Sequence, residues 1–168
     1  DCDSNEGSTP EHAIDNQERH DMALLSFSSQ VKLSGMNISW KSGDSDMTVL
    51  AFTGTGDSTL VGKSYGQLIA SGWKLIDNGS YADVATGSAR SINAEGFFSS
   101  LWLIGAYNPL AALNNSLAKG TSGALGDGND YVKLSSVIGE RCSIVGAGQN
   151  CSPPGKVAEP GSLALFGL

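Results

Sequence analysis

Apolar runs of strand length alternate with short polar segments along the middle of the chain. Met22–Phe27 is dense in apolar residues, which is typical of a strand buried on both faces. Met47–Thr53 and Tyr131–Ile138 are predicted as strands as well. The segments between such runs are rich in Gly, Asn, Asp and Ser, the residues of tight turns. This spacing predicts about seven or eight short strands.

One apolar alternation with a period of two changes phase at Gly35. An extra residue at a glycine is the sequence pattern of a β-bulge, so we predict a strand that a bulge interrupts. The residues on the two sides of the slip are Val31 and Leu33, then Met36, Ile38 and Trp40.

Other segments carry more specific signals. Trp73–Ile76 predicts a short strand, and Asp77-Asn78-Gly79 predicts a hairpin turn to the strand that follows. Leu101–Tyr107 is the most apolar segment and predicts a central strand. Leu110–Lys119 places leucines on one helical face and predicts a short helix, whereas Leu60–Ala70 is ambiguous.

A chain of 168 residues is long enough for one domain with a buried core. Its 22 glycines and 24 serines are dispersed rather than repeated, which favours many turns and an all-β protein. We predict a β-sandwich of jelly-roll type over residues 21–138. An irregular acidic arm is expected over residues 1–20, and a Gly- and Pro-rich tail over residues 139–168.

The formal net charge of −7 argues against one class of partner. Nucleic-acid binding needs clustered Lys and Arg, and the 10 basic residues here are scattered. The longest apolar stretches are far shorter than the roughly 18–20 residues of a membrane-spanning helix. We therefore expect neither nucleic-acid binding nor a membrane-spanning segment in this chain.

The three cysteines bear on the cellular compartment. Cys142 and Cys151 bracket a short loop with two glycines, so we predict a local disulfide, which would imply an oxidising compartment. The alternative is two free thiols. Cys2 is then a free thiol, a link to another chain or a lipid attachment point, and the preceding Asp1 argues against lipidation. A zinc site is not expected, because the chain has no Cys-x-x-Cys pair and both histidines lie far away in sequence.

Two acidic turns offer oxygen ligands of the kind that Ca²⁺ prefers. One turn holds Asp44 and Asp46, and the other holds Asp127, Asn129 and Asp130. Neither follows the EF-hand pattern, and Asp and Asn are also ordinary turn residues. Calcium is the one cofactor that the sequence suggests, and no other is expected.

Patterns for catalysis are sparse. His12 and His20 both lie in the acidic arm, and the chain has no Gly-x-Ser-x-Gly nucleophile elbow. Glu95 and Glu140 are expected at strand edges, where solvated residues are common. A carboxylate pair of glycosidase type is therefore not indicated, and we expect no catalytic residues and a non-enzymatic protein.

Exposed aromatic rings would give a sugar a surface on which to stack. Trp73 and Tyr81 lie next to predicted turns, so we expect them to be exposed and name them as candidates for glycan contact. Trp40 and Trp102 lie within strand patterns, and we expect both in the core.

The last residues combine a short motif with an apolar end. Residues 157–161 read Val157, Ala158, Glu159, Pro160, Gly161, and the apolar portion continues to residue 168. This motif closely resembles the start of a PEP-CTERM sorting signal, with Ala158 where that family has its first proline. The resemblance implies a bacterial protein that is exported and processed by an exosortase at the inner membrane. By themselves, residues 161–168 are expected to be too short to anchor in a bilayer.

Segments of the body resemble exosortase-dependent surface proteins as well. They are Glu11–Asn16, Asp21–Phe27, Val31–Leu33, Ile38–Trp40, Gly43–Leu50, Trp102–Pro109 and Asp130–Leu134. Proteins of that kind are exported and associated with the cell surface or a biofilm matrix. The resemblance implies no catalytic residues.

The favoured function is a structural protein of the surface or extracellular matrix of a Gram-negative bacterium. We expect self-association, in which the apolar end of one copy adds as a strand to an open sheet edge of another and builds a filament or layer. The residues of that assembly strand are Leu163, Leu165, Phe166 and Leu168. One alternative is a carbohydrate-binding module that tethers cells to exopolysaccharide, and a weaker one is a hydrolase.

Overall fold

The computed structural model describes residues 12–111, 125 and 129–142. Within these residues one α-helix, α1 (Tyr65–Ala70), and one 3-10 turn (Pro109–Ala111) accompany the strands. The strands are β1 (Ile14–Asp15), β2 (Met22–Gly43), β3 (Met47–Phe52), β4 (Trp73–Tyr81), β5 (Arg90–Ser91), β6 (Ser99–Ala106) and β7 (Asp130–Arg141).

Several residues singled out in the sequence lie outside the described ones, and what is expected of them stays a prediction. They are Asp127 of the second acidic turn, Cys151, the sorting motif Val157, Ala158, Glu159, Pro160 and Gly161, and the assembly-strand residues Leu163, Leu165, Phe166 and Leu168. Most of the predicted helix at 110–119 lies outside as well; its first two residues, Leu110 and Ala111, belong to the 3-10 turn.

The strands form an antiparallel sheet in the order β1-β7-β2-β6-β3-β4, and β5 also pairs with β2. The predicted all-β class is confirmed, because strands make up most of the described fold. Jelly-roll connectivity within that class stays a prediction.

β2 joins two parts of the sheet. Its first part pairs with β6 from Met22 to Ser26, and its second part pairs with β7 from Val31 to Gly43. The register shifts between Leu33 and Gly35, which confirms the bulge predicted at this glycine. Irregularities of this kind increase strand twist and bend the chain, so a strand of 22 residues can serve both parts.

β6 lies between two cores. Trp102 and Ile104 belong to a large core that also contains side chains from both parts of β2. Leu103 belongs to a second core, on the opposite face of the strand. A strand that is buried on both faces must be apolar at nearly every position, which explains the unbroken apolar run predicted to be a central strand.

α1 contributes to the second core through Leu68, which is buried. A capping box starts the helix: the Gln67 N–H donates to Ser64 Oγ, and the Ser64 N–H donates to Gln67 Oε1. Only six residues are helical, too few to establish a clear period in the sequence. Among the described residues, no helix has the length and apolar character needed to cross a membrane.

The hairpin turn predicted at residues 77–79 is wrong, because these residues lie within β4. Leu75 pairs with Leu50 and Ser80 pairs with Thr48, so four residues of β4 face one residue of β3. Asp77 has a φ of 55°, the left-handed conformation that Asp tolerates in turns. The same residue types therefore build a large bulge, with three extra residues, in this strand.

The sheet extends past both predicted domain boundaries. β1 lies in the segment expected to be an irregular arm, and Ile14 is buried and pairs with Val132. β7 continues to Arg141, beyond the boundary expected at residue 138. Residues 14–15 and 139–141 are thus part of the β domain.

Candidate functional site

Three aspartates from two segments of the chain meet where β2 gives way to β3. Asp44 and Asp46 come from the β2–β3 connection, and Asp83 follows β4. Each offers one carboxylate oxygen, and these oxygens lie within 4.8 Å of one another. We call this group the acidic cluster.

Main-chain hydrogen bonds hold the two segments of the acidic cluster together. Asp83 has a φ of 49°, and its N–H donates to Asp46 Oδ1 at 2.8 Å. The next residue, Val84, donates its N–H to the carbonyl of Ser45 at 3.1 Å. The left-handed turn at Asp83 therefore brings its carboxylate to the β2–β3 connection.

A fourth aspartate, Asp130, lies beside the acidic cluster and is fully buried. Its Oδ1 accepts the N–H of Asp46 at 2.6 Å, and its Oδ2 accepts from Asn16 Nδ2 at 2.7 Å. The amide of Asn16 also accepts the N–H of Asp130 at 3.0 Å. One carboxyl group thus links the segment after β1, the start of β7 and the residue before β3.

The environment of Asp130 favours its neutral form. Burial is the main cause that raises the pKa of its carboxyl to about 7, and the negative charges of Asp46 and Asp44 contribute to the same shift. The hydrogen bonds from the Asp46 N–H and the Asn16 amide act in the opposite direction, because they stabilise the carboxylate. A carboxyl group with this pKa exchanges its proton near neutral pH.

The acidic cluster has the donor chemistry of a site for a hard cation. Carboxylate oxygens that converge from separate turns suit Ca²⁺, which takes six to eight oxygen ligands in flexible geometry. The Lys41 ammonium lies at the same connection and donates to Ser45 Oγ at 2.9 Å, which offsets part of the negative charge. These three carboxylates could hold a metal ion.

Four of the five residues predicted as calcium ligands come together here. Asp44 and Asp46 are in the acidic cluster and Asp130 is next to it, while Asn129 accepts the N–H of Asp44 through its main-chain oxygen at 3.0 Å. Asp83 was missed. It lies 37 residues from Asp46 along the chain, and no local pattern marks it.

Cys142 is disulfide-bonded. The predicted partner, Cys151, lies outside the described residues, so that pairing stays a prediction. Cys142 follows β7 directly and donates its N–H to the carbonyl of Gln30 at 2.8 Å. The disulfide therefore starts from a position that the sheet holds in place.

The expected sugar-stacking rings are not exposed. Trp73 is 2% exposed and Tyr81 is 6% exposed, so neither ring offers a face to a sugar, and this prediction is wrong. Both residues belong to strand β4, whose two faces pack into the two cores. Trp102 is in the core as expected, whereas Trp40 is only half-buried and has the Lys133 ammonium 5.4 Å from its ring centroid.

Comparisons with protein-family models, with curated proteins and with solved structures find no match. The function of the chain has to be inferred from its residues and their geometry.

Proposed function

We propose that the chain is an exported structural protein of a bacterial surface or matrix that self-associates by strand addition. The PEP-CTERM-like motif at residues 157–161 supports export and processing by an exosortase. The observation that carries the structural role is a long edge of β7 along which no strand pairs among residues 12–111 and 129–142. A free edge presents unpaired backbone groups to another chain.

The free edge runs along most of β7. On one side, β7 pairs with β2 from Asp130 to Arg141. On the other side, β1 pairs with Tyr131 and Val132 only. Among the described residues, no strand pairs with Lys133–Arg141 on that side. We call these nine residues the β7 edge.

Hydrogen bonds to β2 identify the backbone groups that point outward. The carbonyl of Ile138 accepts from Ser34 Oγ, and the N–H of Cys142 donates to the carbonyl of Gln30, so both residues face β2. The direction alternates along a strand. The N–H and C=O groups of Val137, Gly139 and Arg141 therefore point away from β2.

A strand from a second copy is the occupant that fits this edge. The segment 161–168 carries no charged side chain and contains the four apolar residues of the predicted assembly strand. Ile138, which is 47% exposed on β7, offers apolar surface to such a strand. Main-chain hydrogen bonds would supply affinity, and alternate side chains would supply specificity.

The substitution Arg141→Pro tests this proposal. Arg141→Pro removes an outward N–H and leaves the β2 ladder intact, because proline is tolerated where the N–H faces solvent. Arg141→Gln is the matched control, since it removes the charge and keeps the N–H. Sedimentation velocity and electron microscopy of the full chain should show assemblies for the parent and Arg141→Gln, and a shift to monomer for Arg141→Pro. A parent protein that stays monomeric up to high concentration refutes self-association.

The disulfide at Cys142 supports export independently of the edge, because disulfides persist mainly in oxidising compartments. Maleimide labelling of intact producing cells, with and without prior reduction, tests this. We expect surface or extracellular protein in which Cys142 reacts only after reduction. Protein retained in the cytosol, with Cys142 reactive at once, would contradict export but not strand addition.

We also propose that the acidic cluster binds Ca²⁺. The three carboxylates of Asp44, Asp46 and Asp83 support this ion through their charge and their number. A bound ion would fix the β2–β3 connection to the turn after β4, and it would favour the structured form of a secreted scaffold.

A further inference from the structure

A groove of about 590 Å³ lies beside the large bulge in β4. This volume falls within the range of roughly 300–1,000 Å³ that is usual for small-molecule sites. The residues that line it include Asp77, Ser80 and Tyr81 from β4, and Arg90, Ser91 and Ala94 from the chain around β5.

The bulge directs Asp77 and fixes its carboxylate. Asp77 adopts a left-handed conformation, which is unfavourable for a residue with a side chain and is found at functional sites. Its Oδ2 accepts the hydroxyl of Tyr81 at 2.7 Å, and its Oδ1 accepts the N–H of Ala94 at 2.8 Å. A carboxylate oxygen accepts more than one hydrogen bond, so both oxygens can still accept from a ligand.

Arg90 supplies donors to the same groove. Its guanidinium carbon lies 5.7 Å from the centroid of the Tyr81 ring, a cation–π distance. Burial, followed by the hydrogen bond to Asp77, raises the pKa of Tyr81, so its hydroxyl stays protonated and remains a donor. The groove is thus lined by fixed acceptors on Asp77 and by the guanidinium of Arg90, a group with five N–H donors.

One negative and one positive group leave the groove without net charge, which suits a neutral ligand rich in hydroxyls. Hydroxyls can donate to Asp77 and accept from Arg90, and the exposed hydroxyl of Ser91 can do both. A ligand with charge of one sign only would gain from one of the two groups and be repelled by the other. We propose that this groove binds one neutral hexose residue of a polysaccharide, through Asp77 and Arg90. This inference does not depend on self-association or on the buried rings of Trp73 and Tyr81 as a stacking platform.

Calorimetric titration of the full chain tests the groove. The probes are cellohexaose, maltohexaose and mannohexaose, with an alginate hexamer as the acidic comparison. We expect saturable binding of at least one neutral probe, and at least tenfold weaker binding for Asp77→Asn and for Arg90→Gln, since each removes a charged hydrogen-bonding partner worth about tenfold or more.

Matched controls are available next to the groove. Lys74 and Glu95 form an ion pair at 3.4 Å and do not line the groove, so Lys74→Gln and Glu95→Gln should leave binding unchanged. Ala89 is an exposed lining residue, and Ala89→Trp should fill the groove and abolish binding without altering the hydrogen bonds of Asp77. Thermal melting establishes that each variant is folded.

Three results would overturn the proposal. The first is no binding of any neutral probe by the folded parent. The second is binding of alginate alone, lost in Arg90→Gln and kept in Asp77→Asn, which would make the groove an anion site. The third is binding of a neutral probe that Asp77→Asn, Arg90→Gln and Ala89→Trp all leave unchanged.

Discussion

Asp130 Oδ1 accepts the main-chain N–H of Asp46 at 2.6 Å, and the two residues are 84 positions apart in the chain. Through this bond the start of β7 is tied to the residue that precedes β3. The second oxygen of Asp130 binds Asn16, which follows β1. The contact between these two acids therefore couples the stability of the fold to the charge at the acidic cluster.

The raised pKa of Asp130 predicts that the free energy of unfolding falls as pH rises. Its pKa is raised from an ordinary 3.8 to about 7, so the folded protein binds this proton more tightly than the unfolded chain does. This contribution to the free energy of unfolding is fully present below the unfolded pKa and is lost as pH rises through the folded one. Between pH 5 and pH 8 the loss should be roughly 2–3 kcal/mol.

Urea unfolding in the presence of a chelator, at several pH values, measures this loss. Asp130→Asn removes the titrating group and should flatten the profile over the same range. Asp57→Asn alters an exposed acid away from the acidic cluster and should leave the slope as it is. A parent protein whose stability is constant from pH 5 to pH 8 would show that Asp130 is not protonated at neutral pH.

Calcium should stabilise the protein through the acidic cluster. We expect a Kd on the order of 10⁻⁴–10⁻³ M, the range of extracellular calcium modules. At a calcium concentration 100-fold above Kd, the gain in the free energy of unfolding should be about 2.7 kcal/mol. Calorimetry and thermal melting, each with CaCl₂ added to chelator-treated protein, measure both quantities.

Single substitutions locate the calcium ligands. Asp46→Asn and Asp83→Asn should each weaken calcium binding by tenfold or more, because both remove a charged ligand from a small set. Asp57→Asn is again the control. If the heat of calcium binding persists in the Asp46→Asn and Asp83→Asn variants, the ion binds elsewhere.

The two most buried tryptophans should respond differently to replacement by phenylalanine. Trp102 donates its Nε1–H to the carbonyl of Ser99 at 3.0 Å, whereas the Nε1–H of Trp73 is buried without a partner among the described residues. Trp102→Phe loses a buried hydrogen bond, and Trp73→Phe removes an unsatisfied donor. The first should therefore cost about 1–2 kcal/mol more than the second. Equal losses of unfolding free energy in urea would contradict this account.

Gly105 in β6 lies close to the main chain at Asp21 and Met22, where β2 begins. A Cβ built at this position would lie 2.1 Å from the carbonyl oxygen of Asp21, a backbone atom that cannot rotate away. Gly105→Ala should lower the free energy of unfolding by roughly 2–4 kcal/mol. Gly56→Ala, with no heavy atom within 4 Å of its Cβ, should change it by less than about 1 kcal/mol. A Gly105→Ala variant as stable as the parent would show that the sheet is looser here than its geometry indicates.

The sequence was sufficient for those strands whose signals are local. The alternation around Gly35 marks both β2 and its bulge, and the run from Leu101 marks a strand covered on both faces. The length of β2 could not be predicted, because residues 28–30 between its two parts give no sign that one strand continues through them.

The site was only partly predictable because one of its four aspartates joins it through tertiary contacts alone. Asp44, Asp46 and Asp130 lie in acidic turns that a sequence pattern reveals. Asp83 joins them only through the turn after β4, which a pattern cannot place. Residues 77–79 carry a strong turn signal, yet the pairing of β4 with β3 on both sides of them holds them in a bulge.

The central claim is that the β7 edge binds a strand of a second copy. Amide hydrogen exchange resolved by residue, in dilute and in concentrated protein, tests it most directly. The N–H groups of Val137, Gly139 and Arg141 should exchange rapidly in dilute protein and become protected on association, while the N–H of Cys142, bonded to Gln30, is protected in both. Assemblies in which those three outward amides exchange as fast as in the dilute protein would contradict the claim.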